Sequence, residues 1–205
     1  MSRASDLPFI IKVCGITNEE DAHTAIEAGA NALGFNFYEK SPRYVTVSHA
    51  RKIIEAVPGD YLKVGIFVNP ALEEITAASL DIVQLYGEWQ AEFEGLTVWK
   101  AITPNETERF CGAEAYLMDA PSSAFGGSGK MFNWMLARGR HGVIIAGGLD
   151  ASNVAEAIAT AKPWGVDACS RLESRPGKKE ARKVQDFVSA AREAFRIYVQ
   201  EEVLL

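Results

Sequence analysis

Residues 9–37 read FIIKVCGITNEEDAHTAIEAGANALGFNF. The stretch opens on an apolar, β-branched run interrupted only by Lys12, which predicts a buried strand over 10–13. Thr17 and Glu20 then stand at capping-box spacing, and Ala22, Ala25 and Ile26 recur on one helical face. Gly29 falls where a left-handed residue would end that helix. A second β-rich run follows at 32–37. Two strands separated by a helix-length crossover must run parallel, because a hairpin cannot join parallel strands.

The same alternation continues along the chain. Further strands are predicted at 62–67, 82–85, 98–102, 115–118, 143–146 and 165–168. The last helix places Val184, Phe187, Val188, Ala191 and Phe195 on one face, with Lys, Arg and Glu opposite. "AGANALGF", "ASLDIVQL" and "PWGVDACS" each run from a helix end into a strand. Eight β-α units close naturally into a (β/α)8 TIM barrel of the α/β class, with an open doubly wound sheet as the alternative. The expectation is one domain over 1–205, with the ordered barrel at about 9–197.

Composition narrows the function. With 48% hydrophobic and 23% charged residues the chain is ordinary for a globular protein. A net charge of −6 and a pI near 5.2 argue against a general nucleic-acid or anionic-membrane surface, while leaving room for a local anion site. No apolar run is long enough to span a bilayer, and the first residues contain no signal-like apolar stretch. Cys14, Cys111 and Cys169 lie far apart without CxxC spacing, which suits a reducing, cytoplasmic compartment.

In such a barrel the chemistry sits at the C-terminal ends of the strands. Cys14 ends strand one, Asp119 ends strand six, and Arg43 lies in the loop after strand two. Taken singly these are a small buried thiol, a helix cap and a solvated loop residue. Glycine-rich loops follow strand six, "GGSGK" at 126–130, and strand seven, "AGG" at 146–148. Backbone amides in loops of this kind can surround a phosphate, although GGSGK lacks Walker A spacing and each loop could equally be a tight turn.

Together, "IKVCGIT", "ALGFNFYEKSPRYV", "LMDAPSSAFGGSGKMFNW", "IIAGGLDASNVAEAI" and "VDACSRLESRPGKKE" resemble, in order and spacing, the phosphoribosylanthranilate isomerase family of tryptophan biosynthesis, over about residues 10–190. The resemblance implies an isomerase that performs an Amadori rearrangement. It would convert N-(5'-phosphoribosyl)anthranilate to 1-(2-carboxyphenylamino)-1-deoxyribulose 5-phosphate. It implies Cys14 as general base, Asp119 as general acid and Arg43 on the anthranilate carboxylate. Gly127, Gly129, Gly147, Gly148, Ser170 and Arg171 would lie around the phosphate, and Asp167 would position the ribose hydroxyls or Asp119. No metal and no organic cofactor is implied. The expected partner is the small phosphosugar-anthranilate substrate, with no nucleic acid and no membrane, in a monomer or homodimer.

The residue types suit that chemistry. Ring opening needs a proton on the furanose oxygen, and the resulting Schiff-base cation must lose its C2' proton. A thiol is a poor base at pH 7 unless its thiolate is stabilised. Lys12 shares parity with Cys14 on strand one, so both should point into the barrel and Lys12 should lower the thiol pKa. Asp119 must act from its protonated form, which partial desolvation or a nearby phosphate would favour. Cys111 and Cys169 are read as structural. Two positions depart from the family pattern: Tyr86 in "QLYG" where histidine is usual, and Arg171 in "CSR" where glycine is usual. They keep open a non-catalytic or altered-substrate phosphosugar-binding barrel as the alternative.

Overall fold

The computed structural model describes residues 4–88, 90, 93–106, 112–120 and 131–203. Eight parallel strands close into a barrel in chain order: β1 (Ile10–Cys14), β2 (Ala32–Asn36), β3 (Leu62–Val68), β4 (Ile82–Tyr86), β5 (Val98–Ile102), β6 (Ala113–Met118), β7 (Val143–Ile145) and β8 (Gly165–Ala168). All eight predicted strands are present, and β1 pairs with both β2 and β8 to complete the ring. The doubly wound alternative is thereby excluded.

Helices α1 (Glu19–Ala28), α2 (Val47–Ala56), α3 (Leu72–Ala78), α4 (Val154–Ala161) and α5 (Ala181–Val203) lie in the outer layer. Among the described residues, the β6–β7 connection carries only a short 3-10 turn, Trp134–Ala137, where a helix was expected. The α1 cap also differs from expectation. Asn18 is the N-cap, its side chain accepting from Asp21 N at 2.9 Å. The Thr17 hydroxyl instead donates to the Gly177 carbonyl, because a hairpin from far along the chain lies over it. Gly29 ends the helix as predicted, at φ 102°.

Two apolar layers hold the barrel. Inside, Ile10, Ala32, Val64, Ile82, Trp99, Leu117 and Ile144 fill the lumen. Trp99 is fully buried there and meets Trp164 edge-on at 5.9 Å between ring centroids. The 3-10 turn Ala4–Asp6 and Leu7 close the N-terminal end, with Trp164 Nε1 donating to the Leu7 carbonyl at 3.2 Å. Outside, Ile11, Val13, Leu33 and Phe35 pack against the helices, including the predicted α5 face of Val184, Phe187, Val188, Ala191 and Phe195. Each fully buried Val, Leu, Ile or Phe among them contributes about 1.5–3 kcal/mol. The lumen is therefore apolar at the bottom, and its polar residues collect at the opposite end.

A short antiparallel hairpin, β9 (Glu173–Arg175) and β10 (Lys178–Lys179), follows β8. Lys178 Nζ reaches Glu20 and Asp21 at 2.7 Å each, and Lys179 N donates to Asp21 Oδ2 at 2.7 Å. The first turn of α1 thus anchors the hairpin beside the mouth of the barrel. Among the described residues, no helix is long and apolar enough to cross a membrane.

Candidate active site

At the C-terminal ends of the strands lies a cavity of about 480 Å³. Alternation along β1 builds its floor: Ile10 joins the apolar lumen, Lys12 comes next on the same parity, and Cys14 reaches the cavity. The β1–β8 register sets Lys12 beside Asp167, and Lys12 Nζ donates to Asp167 Oδ1 at 2.8 Å, with both residues buried. On the neighbouring strand Gly34 stands level with Cys14. A Cβ there would come within 2.9 Å of the Cys14 sulfur, so glycine leaves the thiol its space.

Asp119 lies across the same cavity, just beyond β6. Its Oδ1 accepts from Ala120 N at 2.7 Å, and its backbone N–H donates to Ile102 O at 3.1 Å. Burial pushes its carboxyl up to about 6, against the pull of the Ala120 N–H. Burial, with the nearby Asp167 charge acting in the same direction, thus raises it before any phosphate arrives.

Cys14 behaves differently from expectation. A hydrogen bond with Cys169, followed by burial, pushes its thiol well above the ordinary range. Lys12 does pull it down, and the neighbouring Asp167 charge works against that pull. Cys169, read as structural from the sequence, therefore lies within the cavity wall as the second sulfur. The sequence signal was its place one residue beyond the end of β8, at the strand end where barrel chemistry collects. Cys111 lies outside the described residues.

Arg43 lines the cavity, but its planar fork is filled. Nε donates to Glu173 Oε1 at 2.8 Å and Nη2 to Oε2 at 2.7 Å. Glu173 also takes Lys179 Nζ at 3.1 Å. Neither Glu173 nor Lys179 is recognisable from the sequence, since both arrive on the β9–β10 hairpin. Gln84 and Tyr86 complete the wall from β4, with Gln84 Nε2 donating to Tyr86 Oη at 3.3 Å.

The remaining rim is formed after β7 and β8. Gly147 and Gly148 adopt φ 82° and 65°, the left-handed region that glycine enters without strain. Asn153 steadies this loop by donating to the Gly148 carbonyl at 2.8 Å and accepting from Asp150 N at 2.9 Å. Ser170 and Arg171 begin a 3-10 turn facing it. Arg171, which also lines the cavity, reaches Asp150 with Nη1 at 2.7 Å from Oδ2. Gly127 and Gly129 of the GGSGK loop lie outside the described residues.

Residues 11–190 match the family model for N-(5'phosphoribosyl)anthranilate (PRA) isomerase. The chain belongs to this isomerase family. It is 52% identical to N-(5'-phosphoribosyl)anthranilate isomerase of Solibacter usitatus, covering 91% of this chain and 98% of that protein. Identity to the Rubrobacter xylanophilus isomerase is 44%, over 89% and 98% of the two chains. The fold matches the crystal structure of phosphoribosyl anthranilate isomerase from Thermotoga maritima with a TM-score of 0.78 at 35% identity, covering 90% and 99%. A further isomerase structure, in complex with reduced 1-(o-carboxyphenylamino)-1-deoxyribulose 5-phosphate, matches with a TM-score of 0.74 at 33% identity, covering 90% and 99%.

Proposed function

We propose that this chain isomerises N-(5'-phosphoribosyl)anthranilate with Cys14 as base and Asp119 as acid. The observation that carries the reading is their placement: buried side chains at the ends of β1 and β6 face one cavity from well-separated strands of the ring. An acid on one side of the sugar and a base on the other is what the reaction requires.

Asp119 delivers its proton to the furanose oxygen while the anthranilate nitrogen pushes open the C1'–O bond, leaving a Schiff-base cation. With its carboxyl near 6, about a tenth of the free protein holds that proton at pH 7, and an entering phosphate dianion increases the share. Cys14 then removes the C2' proton, giving an enolamine that tautomerises to the ketone. Within one molecule C1' is reduced and C2' oxidised, an aldose–ketose change that needs no external electron carrier.

The rim supplies the binding groups. Gly147, Gly148, Ser170 and Arg171, together with Gly127 and Gly129, hold the phosphate by backbone amides and one guanidinium. Arg43 meets the anthranilate carboxylate with the donors that Glu173 leaves open, its plane fixed by that carboxylate. Asp167, anchored by Lys12, orients a ribose hydroxyl with its outer oxygen. The acidic chain and the free thiols of Cys14 and Cys169 suit a cytoplasmic setting.

Turnover of phosphoribosylanthranilate, followed by loss of anthranilate-type fluorescence, tests the reading. Cys14→Ala and Asp119→Asn should each lower kcat/KM by about 10²–10⁴-fold with the fold retained. A loss below about tenfold removes that residue from the mechanism.

A further inference from the structure

Cys169 is held by groups from three separate parts of the chain. The β1–β8 register, Lys12 with Asp167 and Val13 with Ala168, leads to Cys14 and Cys169 as the next residues of the two strands, and both line the cavity. From the hairpin, Lys179 Nζ lies 3.7 Å from Cys169 Sγ and 3.2 Å from its carbonyl oxygen. Arg43 comes from the loop after β2: a Cβ built at Gly15 would meet both Arg43 Cδ at 2.6 Å and Cys169 Sγ at 2.9 Å, so the two adjoin over that glycine. Glu173 Oε1 is 4.0 Å from the sulfur, but its carboxylate is shared by Arg43 and Lys179.

The charges around the two sulfurs are unequal. Beside Cys169, two cations face one carboxylate, an excess of one positive charge. Beneath Cys14, Lys12 is matched by Asp167. Tyr86 from β4 and Asp119 from β6 face the pair across the cavity and add no cation. An anionic sulfur is therefore favoured at Cys169 and a protonated one at Cys14.

We propose that Cys169 is a positioning residue for the isomerisation, forming with Cys14 a thiol–thiolate pair that stores one negative charge until the substrate cation draws it to Cys14. The proposal rests on the reading of Cys14 as base. When the Schiff-base cation forms beside Cys14, its Sγ–H bond breaks and the proton passes to Cys169 Sγ. The electron pair left on Cys14 Sγ takes the C2' proton, and the C–H pair becomes the C1'–C2' double bond of the enolamine. Both sulfurs then carry protons, and release of one to solvent restores the pair. The ionisations agree with this division: the hydrogen bond with Cys14, reinforced by Lys179 and Arg43, brings the Cys169 thiol down to about 6.

Ultraviolet thiolate absorbance of the free protein, titrated against pH, reads the pair directly, and Cys111 cancels between variants. The unsubstituted protein should gain one thiolate with a midpoint near 6. Cys169→Ser should lose it and ionise only above about pH 8, with kcat/KM at pH 7 down about tenfold and KM within about threefold. Cys169→Ala, read the same way, guards against a folding effect of serine. A neutral-range thiolate that persists in both variants, or unchanged pH–rate profiles, overturns the pair. Cys14→Ser separates the two readings. If it retains turnover within about tenfold, the base assignment itself fails. If it is inactive while Cys169→Ser matches the unsubstituted protein, only the pair fails.

Discussion

Lys12 Nζ and Asp167 Oδ1 lie 2.8 Å apart inside the barrel, on strands whose register sets the two residues level. Lys12 is fully buried, and its proton is held above the ordinary lysine range because attraction to Asp167 and Cys14 outweighs the desolvation that opposes it. The pair supports Cys14 from below and presents Asp167 to the cavity. It links strand register to chemistry.

Lys12→Met should destabilise the protein by about 3–5 kcal/mol, since it leaves the Asp167 carboxylate buried without its partner. Urea unfolding measures this. The double variant Lys12→Met/Asp167→Leu should recover most of the loss, because the uncompensated charge has gone. The single variant should also push the Cys14 thiol further up, as Lys12 is the attraction acting against its burial. No rise would show that Lys12 does not tune the thiol.

Asp119 should make stability depend on pH in a direction opposite to that of a paired carboxylate. Its folded value of about 6 lies above the ordinary 3.8, so the folded state binds this proton more tightly than the unfolded chain. The cost of burying the charge is absent below about pH 4, grows as pH rises through the window up to about 6, and is constant above it. Asp119→Asn should therefore gain stability over the unsubstituted protein by about 2–3 kcal/mol at pH 7 and little at pH 4. Paired unfolding curves at the two pH values decide it, and an equal difference at both counts against the burial account.

Gly34→Ala should damage activity more than its size warrants. The added Cβ would stand 2.9 Å from Cys14 Sγ, 3.1 Å from Cys14 Cα and 3.1 Å from Ile66 Cδ1. Backbone on one side leaves the sulfur as the group that must move. We expect a stability loss of about 1–3 kcal/mol and a fall in kcat/KM of about tenfold or more. An active variant with normal kcat would mean that the thiol position is not critical.

Arg171→Gly should separate rim chemistry from stability. The Arg171–Asp150 pair is partly exposed, with side chains 40% and 25% accessible, so losing it should cost about 0–1 kcal/mol of folding stability. A charge-assisted contact to phosphate is worth more, about 1.5–3 kcal/mol. The dissociation constant for inorganic phosphate should rise about tenfold or more and become less sensitive to salt. Tighter phosphate binding in the variant would identify Arg171 as an obstruction.

The barrel was legible in the sequence because its signals are local. The β-branched runs, the α1 and α5 faces and the Gly29 stop each act within a few residues, and all eight strands follow from them. Strand parity likewise brought Lys12 and Cys14 to one side of β1, and strand-end position marked Cys14 and Asp119. What the tertiary structure decided are the relations between distant segments. Glu173 fills the Arg43 fork across 130 residues of chain, and Lys179 reaches Cys169 from a hairpin that Asp21 anchors. Thr17 consequently serves that hairpin while Asn18 caps α1. The ionisation of Cys14 belongs to the same class: it depends on burial and on a second sulfur, and the field of neighbouring charges exists only once the ring has closed.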